Sequence, residues 1–238
     1  MRKRFIAVAG IAVLALTFAA GPAFAASTVS GTVTYNGKVP NLKPIDMAAD
    51  PACAAKHSAP VKSEVLVLGP NNTMANVMVR VKSPVAGTFA APAAAAMIDQ
   101  KGCHYEPHIL GLQVGQTLKL KNSDGILHNV HALPKVNTPF NKAMPATVTE
   151  AEAKFGKEEG MFLVKCDVHP WMSAYVGVFS NPFFAVSGPD GKFTIPNLPD
   201  GTYELEAWHE KLGVKSGNVT VAGGKPGTVD FAFAPPTN

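Results

Sequence analysis

Three residues with soft or borderline donor atoms lie within seven positions of one another late in the chain. Cys166, His169 and Met172 form a Cys-x2-His-x2-Met pattern. A thiolate, an imidazole and a thioether, joined by an imidazole from a distant strand, make the His2Cys set with a weak axial methionine found in blue copper sites. Zinc favours closed sites of Cys and His, in which a thioether is a poor ligand. The pattern therefore predicts one copper ion that cycles between Cu(I) and Cu(II).

The second imidazole has two candidate sources, His128 and His131, which lie upstream at the end of a predicted strand. Residues three apart on a strand point to opposite faces of a sheet, so only one of the two can face the ligand loop. The residues alone leave this choice open.

The N-terminus has the pattern of a secretory signal peptide. The positive residues Arg2, Lys3 and Arg4 precede an apolar run over residues 5–20, and an Ala-x-Ala cleavage site follows at residues 23–25. A run of this length with these flanks is too short for a stable membrane anchor. We therefore expect residues 1–25 to be removed, leaving a periplasmic or secreted protein without a membrane span.

The three cysteines are an odd number for an exported chain, in which thiols normally pair. Cys53 and Cys103 lie in polar, turn-rich surroundings, whereas Cys166 follows an apolar run and begins the ligand pattern. We predict a disulfide between Cys53 and Cys103, with Cys166 committed to the metal.

Charge gives no sign of a nucleic-acid partner. The formal net charge is +4, and loss of the three basic residues of the signal peptide reduces it to about +1. The remaining charges are scattered and form no basic patch, apart from a cluster over residues 150–159 that is expected to be a solvated helix face.

Short strand patterns separated by turn residues dominate the sequence. One helix is predicted over residues 149–160, since Thr149 and Glu152 have the spacing of a capping box and Gly160 can end it. Residues 90–96, rich in Ala and Pro, are predicted to form a linker. The pattern indicates an all-β fold built from sandwiches. The predicted strands cover residues 28–35, 61–68, 75–82, 109–114, 117–121, 127–133, 161–165, 173–179, 192–195, 202–208, 219–221 and 229–233.

Residues 97–180 resemble a cupredoxin, and amicyanin and the plastocyanin-like group in particular. The resemblance lies in residues 105–108, 114–117, Asn122, the His-Asn-Val-His sequence that starts at His128, and the ligand loop. It implies a Greek-key sandwich whose copper ligands are His128, Cys166, His169 and Met172, and it favours His128 over His131. It also implies that Asn129 braces the ligand loop by hydrogen bonding.

The flanking segments resemble a carboxypeptidase-regulatory-like, or transthyretin-like, β-sandwich. The similarity covers the opening strand at residues 29–37 and the later strands at residues 190–205. This implies first strands in residues 27–96, a cupredoxin unit in residues 97–180 that is inserted or joined, and remaining strands in residues 181–236. Exported proteins of this combined type resemble those labelled methylamine-utilisation-like, a label that assigns no substrate.

Other residues allow two interpretations each. His104 and His108 lie on either side of a proline, and they either bind a second metal or are ordinary surface or hydrogen-bonded histidines. His209 is expected to be structural. Trp171 either packs the ligand loop or forms an apolar patch around an exposed edge of His169, through which an electron could pass.

The function expected from these features is that of an outer-sphere electron carrier and not of an enzyme, because four protein ligands leave no position for substrate. Its redox partner and reduction potential are not specified by the sequence, and the chain is expected to be a monomer. The alternative function is a copper-binding or envelope-docking module in which electron transfer is incidental.

Overall fold

The structure, a computed structural model, describes residues 26–235, so the predicted signal peptide lies outside the described residues. The described chain is nearly all β, which confirms the predicted fold class. No helix within this range is long and apolar enough to cross a membrane. The strands are β1 (Ala26–Tyr35), β2 (Met78–Val81), β3 (Ala96–Lys101), β4 (His104–Glu106), β5 (Ile109–Gln113), β6 (Thr117–Asn122), β7 (His128–Ala132), β8 (Phe140–Met144), β9 (Glu150–Lys154), β10 (Glu159–Lys165), β11 (Ser173–Phe179), β12 (Phe184–Val186), β13 (Lys192–Pro199), β14 (Gly201–His209), β15 (Gly213–Val221), β16 (Gly227–Thr228) and β17 (Phe231–Phe233). The helical segments are the single-turn helix α1 (Pro51–Ala54) and the 3-10 turn Pro70–Asn72.

Two sheets from the middle of the chain enclose one hydrophobic core. One sheet has the strand order β5-β11-β10-β7-β8 and the other β4-β3-β6-β9. Alternating apolar residues of these strands fill the space between the sheets, as expected for a half-buried strand pattern. Met47 and Cys53, which precede β2, also pack into this core. The segment that contains α1 therefore covers one end of this sandwich.

A second pair of sheets is built from both ends of the described chain. β1 pairs with β13, β16 and β17, while the facing sheet has the order β12-β2-β14-β15. Their inner faces form a separate core around residues such as Val29, Ile195 and Leu205. A smaller cluster around Met78, Ile109 and Phe179 joins the sheet containing β2 to the sheet containing β5 and β11. The two sandwiches thus pack against each other through apolar side chains.

The predicted helix over residues 149–160 is wrong. This stretch forms β9 and the start of β10, and β9 pairs antiparallel with β6. Exposure alternates along β9, where Ala151 and Ala153 are more buried than their charged neighbours. Pairing to β6 outweighs the helix propensity of Ala and Glu, which is a weak preference. Glu159, expected on a solvated helix face, is instead buried and accepts hydrogen bonds from the backbone N–H groups of residues 135–137.

The predicted strand over residues 61–68 is also wrong, because the segment pairs only through an isolated bridge from Leu68 to Met74. Its apolar side chains pack on the cores without a strand partner on either side. β3, β4, β8, β12 and β16 are absent from the predicted strands, since they are short or carry charged residues that break the alternation.

Candidate metal centre

His128 begins β7, and its position there decides which way its ring points. β7 pairs with β8, where His128 lies opposite Met144, and with β10. His128 is fully buried, whereas the His131 ring lies at the surface and its Nδ1 atom is 2.9 Å from an Asp167 carboxylate oxygen. The strand alternation therefore directs His128 inward and His131 outward.

The loop between β10 and β11 carries the other three predicted ligands and is closed by its own backbone. The Cys166 N–H donates to the Met172 carbonyl at 3.1 Å, and the Met172 N–H donates to the His169 carbonyl at 2.9 Å. All three side chains are buried. Because both ends of the loop continue into paired strands, the loop has little freedom to change shape.

The structure brings three of the predicted ligands into one cluster. Donor atoms of His128, Cys166 and His169 all lie within 4.8 Å of one another. The Nδ1 atoms of the two histidines are 2.9 Å apart, and the Cys166 sulfur is 3.8 Å from the His169 Nδ1 atom. Met172, the fourth predicted ligand, is buried in the same core as Cys166.

Both histidines are held from behind by carboxylates. The Nε2 atom of His128 lies 2.9 Å from Asp124, and the Nε2 atom of His169 lies 2.9 Å from Asp50. A carboxylate at Nε2 keeps the proton on that nitrogen and leaves the lone pair of Nδ1 free, which is the arrangement found behind metal-bound histidines.

The electrostatics of the cluster follow from these contacts. Burial acts to raise the pKa of Asp124, but hydrogen bonds from His128 and from the N–H groups of Cys103 and Gly102 outweigh it and lower that pKa to about 2. Burial acts to lower the pKa of His128, and its bonds to Asp124 and Cys166 more than offset this, so the pKa is raised. These contacts therefore favour the positively charged form of the His128 ring.

The Cys166 thiol is activated in the same way. Burial acts to raise its pKa, but hydrogen bonding from His128 and from backbone N–H groups of the loop lowers it to about 7. A thiolate is thus accessible near neutral pH, and the thiolate is the form that binds metals.

Asn129 braces the loop, as the resemblance implies. Its Oδ1 atom accepts a bond of 2.7 Å from the Asp167 N–H and a bond of 3.3 Å from the Cys166 thiol. Its amide nitrogen donates to Asn141 at 2.7 Å. One side chain next to His128 therefore fixes the position of the loop relative to β7 and β8.

The exposed edge of His169, which the apolar-patch interpretation of Trp171 requires, is not present. The residue is 2% exposed, because Asp50 and the segment after it cover its Nε2 side. Trp171 packs beside the His169 ring at 5.2 Å between centroids and donates its indole N–H to the Cys103 carbonyl at 3.2 Å. The packing interpretation of Trp171 is therefore the one that the structure supports.

The predicted disulfide between Cys53 and Cys103 is confirmed, and Cys166 is the free cysteine of the chain. Sequence reasoning missed Asp50 and Asp124. Asp124 precedes His128 by four positions in a turn, but Asp50 is separated from His169 by 119 positions and carries no local signal.

His104 and His108 do not form a metal cluster with a third donor in the described part of the chain. Both ring nitrogens of His108 face acceptors, the Ser173 carbonyl at 3.1 Å and Glu210 at 2.7 Å. A ring that donates at both nitrogens has no lone pair for a metal. His209 is buried beside Phe233, which fits the expected structural role.

Comparisons with known proteins give partial similarities. Residues 173–229 match the family described as polysaccharide lyase family 4, domain II. None of the curated proteins matches the chain. The carboxypeptidase-regulatory-like resemblance stays a prediction.

Several solved structures of copper proteins are similar to part of the chain. A Cu(I) structure of an amicyanin mutant is 24% identical, with a TM-score of 0.32, over 42% of this chain and 97% of that one. A purple cupredoxin from Nitrosopumilus maritimus is 26% identical, with a TM-score of 0.30, over 35% and 98%. A copper-containing nitrite reductase from Thermus scotoductus is 23% identical, with a TM-score of 0.32, over 41% and 25%.

Proposed function

We propose that this chain is an exported protein that holds one copper ion through His128, Cys166, His169 and Met172 and carries single electrons. The observation that supports it most is the 2.9 Å separation of two Nδ1 atoms beside a thiol of lowered pKa. With both Nε2 atoms directed at carboxylates, the two Nδ1 atoms that face each other can share a proton or bind a metal ion. A metal ion that replaces this proton would be bound by both nitrogens and by the Cys166 sulfur.

The donor set fits copper better than other common metals. Thiolate and thioether ligands select soft ions, and imidazole suits copper in both oxidation states. Bound copper would supply the one-electron gain and loss. The residues of the chain hold the ring orientations through Asp50 and Asp124, fix the thiol through Asn129 and exclude water by burial.

A carrier function without catalysis suits this arrangement. The three clustered side chains and Met172 are all buried in the described part of the chain, so none of the proposed ligands faces solvent. The partner of this carrier would be another redox protein. We expect the carrier itself to be a monomer that binds no nucleic acid.

Export is part of the proposal. The sequence pattern of residues 1–25 is that of a secretory signal, and the buried disulfide between Cys53 and Cys103 suits an oxidising compartment. We therefore place the protein in the periplasm or outside the cell.

The test is an absorption and electron paramagnetic resonance spectrum of the mature protein loaded with copper. One copper per chain and an intense visible sulfur-to-copper band are expected. His128→Gln should abolish the band, while His131→Gln, its matched control on the same strand, should keep it. A band lost only in His131→Gln, or no visible band in the unmodified protein, would refute the proposed site.

A copper-binding or envelope-docking module is the second candidate, and the burial of His169 favours it. An electron carrier needs a ligand edge near its surface, whereas His169 is 2% exposed behind Asp50. The electron self-exchange rate separates the two functions: fast exchange supports a carrier, and a slow, poorly reversible couple supports binding or storage.

A further inference from the structure

The disulfide lies directly behind both ligand histidines. The Cys53 sulfur, an Asp50 carboxylate oxygen and a ring nitrogen of His169 lie within 4.8 Å of one another. The Cys103 sulfur, Asp124 and His128 form a second group of the same size. The disulfide therefore joins the two chain segments whose carboxylates contact the two rings.

On the side of His169, Asp50 is both the support of the ring and the cap of a helix turn. Its Oδ1 atom accepts bonds from the N–H groups of Ala52 at 2.9 Å and Cys53 at 3.3 Å, while Oδ2 faces His169. The orientation of this carboxylate thus depends on the position of α1, which the disulfide fixes.

On the side of His128, the carboxylate of Asp124 is held by the chain around Cys103. The N–H of Gly102 donates to Oδ1 at 2.7 Å, and that of Cys103 donates to Oδ2 at 2.8 Å. Both sides of the disulfide therefore place one carboxylate behind one ligand histidine.

Three further contacts fasten the segment of residues 50–57, here called the cap. Lys56 donates to the Asp124 carbonyl at 2.9 Å and lies 3.3 Å from its carboxylate. His57 lies 2.7 Å from the Gly102 carbonyl. These contacts are polar and partly exposed. The disulfide is covalent and is therefore the strongest link between the cap and the core.

We propose that the cap is a disulfide-locked cover that positions both ligand histidines and limits the access of metal ions and reagents to Cys166. The part concerning metal exchange rests on the proposed function, but the covering of Cys166 does not. With the disulfide intact, an opening of the site must displace α1 and both carboxylates together. Without it, the cap can leave by local unfolding, which requires far less free energy than global unfolding.

The first experiment measures alkylation of Cys166 by iodoacetamide in the metal-free protein, with and without the disulfide. In Cys53→Ala/Cys103→Ala, the rate should rise on the order of tenfold or more, because local opening replaces a larger unfolding event. Near-ultraviolet circular dichroism shows whether the variant stays folded. A folded variant that reacts at the unmodified rate would overturn the proposal.

A second pair of variants keeps the disulfide. These variants test the proposal if the double variant Cys53→Ala/Cys103→Ala fails to fold. Asp50→Asn replaces the carboxylate that contacts the His169 Nε2 atom with an amide. Asp46→Asn, the control, changes a similar turn residue whose carboxylate accepts a bond from the Ala48 N–H. The His169 ring N–H signal, followed by nuclear magnetic resonance, should exchange faster in Asp50→Asn alone. Equal exchange in both variants would contradict the positioning role.

Copper release to an excess of chelator distinguishes failure of this inference from failure of the proposed function. The double variant should bind one copper and release it on the order of tenfold faster than the unmodified protein. Equal release rates would contradict the proposal that the cap limits access to the site. If the unmodified protein binds no copper, the proposed function fails, and the alkylation result still decides the covering role.

Discussion

The Nδ1 atoms of His128 and His169 face each other at 2.9 Å, although the residues are 41 positions apart in the chain. His128 begins a strand, His169 lies in the turn between two others, and each ring is fixed by a carboxylate at its far nitrogen. This relationship creates a small, buried site lined by side-chain nitrogen and sulfur atoms. It motivates the predictions about the thiol and the thioether next to it.

Replacing Cys166 by serine should abolish the visible band of the copper-loaded protein, because the band requires a thiolate bound to the metal. The serine hydroxyl can still donate to Asn129, so the free energy of unfolding should fall by only about 1 kcal/mol. Absorption spectra and urea unfolding measure the two effects. An unchanged visible spectrum would show that Cys166 is not a ligand.

Met172 is expected to tune the reduction potential while contributing little to copper affinity. A weak thioether donor favours Cu(I), so Met172→Gln, which offers an oxygen donor, should lower the potential, and Met172→Leu should raise it. Protein-film voltammetry provides the measurement. If both variants keep the reduction potential of the unmodified protein, Met172 is a core residue and not a copper ligand.

The pair of His108 and Glu210 should stabilise the junction of the two sandwiches. The atoms are 2.7 Å apart, and each side chain is at most 5% exposed. Removing one partner of a buried pair leaves an uncompensated charge, so Glu210→Ala should cost about 3 kcal/mol of unfolding free energy. Glu204→Ala, which breaks the exposed pair with Lys82, is the control and should destabilise the fold much less than Glu210→Ala.

The same pair predicts a pH dependence. Burial acts to lower the pKa of His108, and Glu210 and Glu64 outweigh it and raise the pKa. A raised pKa stabilises the fold below the unfolded value of about 6.5, and this stability is lost as the pH rises through the folded pKa. Urea titrations of the unmodified protein and Glu210→Ala at several pH values should therefore converge at alkaline pH. A constant difference would contradict the assignment.

His209 should have the opposite effect, because burial lowers its pKa to about 4. Its Nδ1 atom accepts a 3.3 Å bond from the Lys211 N–H, which requires an unprotonated nitrogen. The stability that it contributes is present above pH 6.5 and should decrease by about 1–3 kcal/mol as the pH falls towards 4. His209→Asn, which keeps an acceptor, should flatten this part of the stability profile. A profile unchanged by the substitution would rule out His209 as its source.

Local sequence was sufficient for the features that depend on neighbouring residues. The spacing of Cys166, His169 and Met172 keeps these side chains on one tight loop whatever surrounds it. Alternation along β14 predicted that strand almost to the residue, since side chains on a strand repeat every two positions. The odd cysteine count, together with the place of Cys166 in the ligand pattern, was enough to pair Cys53 with Cys103.

Tertiary structure decided the features in which a distant partner outweighs a local preference. Residues 150–154 have the composition of a helix, yet they form a strand because the edge of β6 offers them hydrogen bonds and a face on which to bury two alanines. Asp50 meets His169 only because the disulfide and the packing of Met47 bring the cap over the end of the sandwich. The sequence by itself thus determined which candidate donor atoms share one loop, whereas the folded chain determined what covers them, because a contact across 119 positions leaves no periodic or local trace.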